Sequence, residues 1–248
     1  MNVSKLKERL FELFPQTLLE SFPDDEWGIN IPAGHSSISK VGFATSLSPW
    51  VIEEAKQCEV DFLVTHHDAW DFLYDMRTQC RDMLNSAGIG HLFVHLPLDT
   101  CEFSHGAALL ESVGCAPVDR FCEESGLYCG QIGELESEQD FGEFEAALTR
   151  ELGEDPRFRW DSGTKVKRVA VVTGGGCNTA YVKEAQERRC DTYVTGEYNL
   201  YLGMFVRGQR INCLVYSHTA TENKGPENLA KLLVDPGIPV VKLDEEHL

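Results

Sequence analysis

Two adjacent histidines, His66 and His67, follow the apolar run Asp61–Thr65, and Asp68 comes directly after them. His95 ends a second apolar run with Asp99 four residues on, and His218 follows a third with Glu222 four residues on. Four of the chain's eight histidines therefore stand at the ends of strand-like runs, with carboxylates beside them. Imidazole and carboxylate donors together suit zinc, iron or manganese. They are too many for one tetrahedral zinc that keeps an open position. They match two divalent ions bridged by a carboxylate, roughly 3.5–4 Å apart, which can clamp a phosphate or carbonyl and activate water. Each residue also has an ordinary structural explanation. The His pair could be a hydrogen-bonded surface turn, and His95 a satisfied core histidine. Thr219-x-x-Glu222 matches a capping box.

The elements that must position these residues follow from apolar periodicity and its punctuation. MNVSKLKERLFELF is an amphipathic helix ending before Pro15, and a polar stretch runs from Pro23 to Ser39. Val41–Thr45 then predicts a strand, Trp50–Cys58 a helix and Asp61–Thr65 a buried strand. Met76–Ala87 predicts a helix, His91–Val94 a strand, and Ala107–Val113 a helix ended by Gly114. The Glu-rich segment from Cys122 to Asp161 holds one surface helix, Phe141–Leu152. The pattern restarts with strand Arg168–Thr173, helix Tyr181–Arg189 and strands Asp191–Thr195 and Ile211–Tyr216. Pro226 opens a last helix, and Ile238–Leu243 is a short strand.

EAKQCEVDFLVT (54–65) and EAQERRCDTYVT (184–195) share five identities at a constant offset of 130. The limited composition of βαβ units explains such an echo in one way; two related halves facing one site explain it in another. Open α/β sheets put ligands at the carboxyl ends of their strands, where all these polar residues fall. The expected architecture is α/β, with two similar α/β halves packed around a shared metal cleft and no inserted central domain. Residues 1–118 form the N-terminal half, 119–164 an acidic connector and 165–248 the C-terminal half.

The chain has 248 residues, with 22 Lys+Arg against 40 Asp+Glu and a net charge of −18. Duplex nucleic acid is not an expected partner, since phosphate neutralisation needs clustered cations. No apolar run reaches the ~18 residues of a membrane span. Nine cysteines without a C-x-x-C pair, and a start without the apolar core of a signal peptide, give a cytoplasmic expectation. TGGGCN (173–178) is a glycine turn between strand and helix. It could cradle phosphate or simply turn tightly, and it matches neither a P-loop nor G-x-G-x-x-G.

THH (65–67), H-x-x-x-D (95–99), TGE (195–197) and S-H-x-A-T-E (217–222) together resemble the Nif-three-like dinuclear-metal family, whose members are labelled GTP cyclohydrolase I type 2 homologues. WGIN (27–30), GQIGEL (130–135) and VAVVTGGG (169–176) extend the likeness in order along nearly the whole chain. The resemblance implies metal ligands at His66, His67, Asp99, His218 and Glu222, two ions per chain, and a ring-shaped homo-hexamer. Some members carry an extra central domain, and the short connector here points to a version without it. The chain departs from the family pattern at Asp68, where a proline is usual, and at Leu96-Pro97, where Thr-Asn is usual. It has Glu102 to Gly106 where Gly-x-Asn often follows the aspartate, and Tyr198 and Tyr201 after TGE, where a histidine is common.

Two functions are expected to compete. One is a metal-dependent hydrolase of a nucleotide or other phosphorylated small molecule, with His95 or Glu197 assisting proton transfer. The net negative charge conflicts with an anionic substrate only mildly, because bound dications would dominate their local field. The other is a non-catalytic metal-binding scaffold or regulator that acts through protein contacts.

Overall fold

A computed structural model describes residues 1–22, 26–124 and 127–246. Pro23, where the polar stretch begins, lies outside the described residues. In chain order the strands are β1 (Trp27–Asn30), β2 (Val41–Ser46), β3 (Phe62–His67), β4 (Gly90–Val94), β5 (Cys115–Glu124), β6 (Leu127–Gln139), β7 (Phe158–Trp160), β8 (Val166–Val172), β9 (Thr192–Thr195), β10 (Asn212–Val215) and β11 (Val240–Lys242). The chain divides into two compact units. One comprises Met1–Leu98 with Gly225–Glu246, and the other Asp99–Lys224.

The first unit is built on a sheet of order β1-β4-β3-β2-β11. β2, β3 and β4 run parallel, β11 joins β2 in parallel, and β1 closes the other edge antiparallel to β4. Parallel strands are covered on both faces, which is why they read as continuous apolar runs. Five of the six residues of β3 are buried. The helix Pro49–Gln57 starts where Ser48 Oγ accepts from the Val51 amide and Pro49 presets φ. The helix Met76–Ala87 ends at Gly88 with φ 70°, the left-handed stop that a glycine adopts without strain. These helices and the sheet share a core of Ala44, Val51, Ile52, Leu63, Leu84 and Leu243. Burying each large aliphatic side chain contributes about 1.5–3 kcal/mol. The N-terminal helix Val3–Leu13 is tied within this unit by Lys5 and Arg9 to Asp235.

The second unit has the sheet order β5-β6-β8-β9-β10-β7. β8, β9 and β10 are parallel; β6 lies antiparallel to β8, and β7 antiparallel to β10. From the antiparallel edge inward, the first unit runs β1, β4, β3, β2 and the second β7, β10, β9, β8. The sequence echo falls on the same helix and strand of each series: Pro49–Gln57 with β3, and Thr179–Glu187 with β9. The stretch 119–164, expected as a connector, carries most of the β5–β6 hairpin, the helix Phe141–Leu152 and β7. Phe121 and Ile132 pack into one core of this unit, and Phe141, Phe144 and Leu148 into another. Its many acidic residues masked this apolar content, and its buried positions fall in short blocks with no regular period.

Candidate metal centre

In the first unit, β3 carries His66 and His67 at its carboxyl end and β4 leads directly into His95. Successive strand residues point to opposite faces, yet the rings of His66 and His67 lie with centroids 4.5 Å apart. His95 stands 4.9 Å from His66 and 5.2 Å from His67. One ring nitrogen of each of the three falls within 4.8 Å of the others, close enough to share an ion. Each ring is gripped at Nδ1. His66 Nδ1 lies 2.9 Å from the Val94 carbonyl, His67 Nδ1 2.9 Å from Ser46 Oγ, and His95 Nδ1 2.6 Å from Glu26 Oε2. A carbonyl only accepts, so Nδ1 of neutral His66 carries the proton and Nε2 the lone pair. Such outer partners fix the orientation of metal-binding imidazoles. Ser46 is itself held at its amide, 3.2 Å from the carboxylate of Glu245, which also accepts from Thr45. Trp70 lies against both His67 and His95, at 6.3 and 5.3 Å.

His91 and Asp68 line a cavity of about 420 Å³ in the same unit, together with Trp27, Asn30, Arg81 and Phe93. Thr65 Oγ1 donates to the His67 carbonyl, so it must accept from His91 Nε2 at 2.9 Å, which leaves Nδ1 as that ring's acceptor. Burial, with the nearby charge of Arg81, pushes His91 down to about 3, so the ring is neutral. Asp68 pairs with Arg77 at 3.2 Å.

In the second unit, β10 ends at Val215 and Ser217 caps the short helix His218–Glu222. The capping-box expectation for Thr219 therefore gives way: Ser217 is the cap, and the Glu222 carboxylate turns to His218 instead. Residues four apart share a helix face, and His218 Nε2 is 3.0 Å from Glu222 Oε2. Glu197, just past β9, holds His218 Nδ1 at 2.9 Å and accepts from the Cys177 thiol. Burial opposes a charged ring here, but the bonds and charges of Glu222 and Glu197 outweigh it and lift His218 to about 9. Asp99 and His105 belong to this unit too. His105 Nε2 is 3.5 Å from Asp99 Oδ1, and its Nδ1 donates to the Glu222 carbonyl.

The glycine turn of TGGGCN serves this cluster. Gly174 has φ +56°, and a Cβ there would overlap Glu222 Oε1 and lie 2.7 Å from His218 Nε2. Its amide donates to Thr221 Oγ1 at 3.0 Å, and the Gly176 amide donates to the Gly174 carbonyl at 2.9 Å. Two of the donors that a phosphate cradle would need are thus spent internally.

His66, His67 and His95 are brought together in one unit, and His218, Glu222 and Glu197 in the other. Among the altered wall positions, Pro97 is buried, Tyr198 packs on Phe158 at 4.7 Å and Tyr201 is 70% exposed. Sequence reasoning missed Glu26, Ser46, Glu245 and His105 as partners of these residues. His105 followed no apolar strand run, and Glu245 acts from 200 residues away along the chain.

Comparison with known proteins identifies relatives along the whole chain. The family model described as Duf34/NIF3 (NGG1p interacting factor 3) matches residues 1–246. A protein of Pyrococcus horikoshii named GTP cyclohydrolase 1 type 2 homolog is 28% identical over 234 residues, covering 91% of this chain and 92% of its own. One of the same name from Chlamydia trachomatis is 27% identical over 262 aligned positions, covering 100% and 99%. The solved structure of the protein ybgI, described as of unknown function, shares the fold with a TM-score of 0.82 at 23% identity, over 99% of both chains. Reduced HcgD from Methanocaldococcus jannaschii does so with a TM-score of 0.78 at 22% identity, over 99% of this chain and 98% of its own. With a match spanning both units and every residue cluster described above, the chain belongs to the Duf34/NIF3 (NGG1p interacting factor 3) family.

Proposed function

We propose that this chain is a metal-dependent hydrolase of a nucleotide or other phosphorylated small molecule, working with two divalent ions held by His66, His67, Asp99, His218 and Glu222. The observation that carries this proposal is the set of imidazoles gripped at Nδ1: three in one cluster of the first unit, and His218 against Glu222 and Glu197 in the second. The donor set fits. Buried, oriented imidazole beside carboxylate is what zinc, iron or manganese takes, and each ring already has its outer partner. Such ions would polarise a phosphoryl or carbonyl group and lower the pKa of water.

The residues around them divide the remaining work. Glu197 orients His218. His95, hydrogen-bonded to Glu26 and partly exposed, is placed to carry a proton for a substrate or leaving group. The cavity beside His91 and Asp68 has the size of small-molecule sites. It offers an acceptor at His91 Nδ1, the guanidinium of Arg81 and the aromatic walls Trp27 and Phe93. The names of the curated relatives, GTP cyclohydrolase 1 type 2 homolog, agree with a nucleotide-sized substrate.

Protein purified without chelator should carry about two divalent ions per chain, and His66→Ala or Glu222→Ala should reduce that number. A screen over nucleotides and phosphoesters with zinc, manganese or iron should show turnover that Asp99→Ala abolishes. Protein that binds none of these metals would overturn the centre, and turnover unaffected by Asp99→Ala would move the chemistry elsewhere. A non-catalytic scaffold is favoured by one observation. Phe72 and Tyr74 in the first unit, and Leu200, Tyr201 and Met204 in the second, are 64–92% exposed, as contact surfaces with other chains are. A homo-hexamer, as the family resemblance implies, would cover such side chains. Metal binding without turnover in the screen would select the scaffold.

A further inference from the structure

We infer that His105 is a metal ligand of this chain, contributing Nε2 beside Asp99. The inference rests on the metal centre proposed above and adds a donor that the family pattern does not contain. Where Gly-x-Asn often follows the aspartate in that pattern, this chain reads Glu102-Phe103-Ser104-His105-Gly106.

Three observations carry it. First, His105 is fully buried at the start of the helix His105–Ser112, where a histidine needs a polar reason to be. Second, its orientation is imposed. Nδ1 donates to the backbone carbonyl of Glu222, itself a proposed ligand, so in the neutral ring the lone pair sits on Nε2. Third, the spacing to Asp99 is that of two ligands on one ion. Nε2 and Oδ1 are 3.5 Å apart. An N–H···O bond prefers 2.7–3.2 Å, so this is a long separation for a hydrogen bond. Two donors each about 2.1 Å from a tetrahedral ion lie about 3.4 Å from one another. The contact with Glu222 has a second consequence: the carbonyl that fixes His105 belongs to the residue whose carboxylate meets His218, so the two imidazoles are referenced to one backbone position.

An added imidazole donor shifts metal preference. Imidazole favours zinc and its neighbours over manganese, which carboxylate and water suit better. His105→Asn removes the Nε2 donor and keeps an amide that can still donate a hydrogen bond toward the Glu222 carbonyl. In the chelator-stripped full chain, this variant should bind zinc at least about tenfold more weakly at one site, as loss of a ligand requires. Its manganese affinity should change far less. A structural histidine would leave the zinc-to-manganese ratio where it was. Anomalous scattering from zinc-loaded wild-type crystals gives a readout that needs no variant: His105 Nε2 should lie about 2.0–2.1 Å from an ion. An ion that ligates Asp99 with His105 Nε2 beyond bonding distance, or an unchanged zinc-to-manganese ratio in His105→Asn, would overturn the assignment while leaving the proposed centre standing. Wild-type protein that binds no metal would overturn both.

Discussion

Gly174→Ala is the sharpest test of the glycine turn, because the cost to the fold and the cost to the site can be separated. The left-handed φ of +56° penalises any L side chain by about 1–2 kcal/mol. For a chain of this length that lowers the melting temperature by only a few degrees. The site pays differently. The new Cβ would lie 2.7 Å from His218 Nε2 and overlap the Glu222 carboxylate, whereas ordinary contact begins near 3.4 Å, so the ring must retreat by about 0.7 Å. Metal–donor distances tolerate about 0.2 Å. At least one ligand is therefore lost, and zinc affinity should fall by about 100-fold or more, beyond the 10–100-fold typical of an outer partner. Isothermal titration of chelator-stripped protein with zinc measures this. Gly175→Ala is the internal control, since its Cβ would meet only Glu197 Oε2 at 3.9 Å, an ordinary contact. Wild-type zinc affinity in Gly174→Ala, or an equal loss in Gly175→Ala, would refute the reasoning that the turn exists to clear space for the ligand pair.

Glu197→Gln should weaken metal binding by about 10–100-fold. In metal-free protein it should bring His218 down from about 9 toward the ordinary imidazole range, because one of the two carboxylates sustaining the charged ring is gone; an unmoved titration by NMR would contradict this. His91 predicts an acid-sensitive first unit. Its folded value of about 3 lies below the ordinary 6.5, so the stabilisation from keeping it neutral is complete above pH 6.5 and is lost as pH falls toward 3. One proton taken up on unfolding makes stability fall by about 1.4 kcal/mol per pH unit between roughly pH 5.5 and 4. Urea unfolding of His91→Gln should show a slope shallower by about that amount, and equal slopes would exclude His91 as the source.

The parts of the fold that were legible in the sequence are those whose signal is local. Met76–Ala87 and Phe141–Leu152 emerge with the predicted bounds, because an amphipathic face and a terminal glycine are written in consecutive residues. β2, β3, β9 and β10 were legible as short apolar runs. The β5–β6 hairpin was not: ten and thirteen residues long, it mixes polar, acidic and glycine residues with apolar ones in no strict alternation and bulges between Pro117 and Asp119, which breaks the period. β7 and β1 are edge strands of three and four residues, and their pairing is decided by a partner far away in the chain. The candidate ligands were legible because chemistry restricts residue type. Apart from Glu197, their outer partners were not, since a carbonyl of Val94 or Glu222 can be supplied by any amino acid.

That asymmetry bears on what makes the site specific. Five histidines, at 66, 67, 95, 105 and 218, are each engaged at Nδ1, yet by different means: two by backbone carbonyls, two by carboxylates and one by a hydroxyl. The carbonyls and carboxylates accept only, so they demand a proton on Nδ1 and commit the neutral ring to presenting Nε2. His67 is the exception, because Ser46 Oγ can donate or accept. Its tautomer is set by whatever else engages the hydroxyl, and the amide of that serine is already bound to Glu245. A carboxylate at the far end of the chain thus fixes the strand end that carries Ser46, and through it one imidazole of the cluster. Ordering the rings in the fold itself means a bound ion pays less for immobilising them. It follows that the side chains most worth substituting to separate metal binding from folding are the outer partners Ser46, Glu26 and Glu197, which touch the imidazoles and stand outside the proposed ligand set.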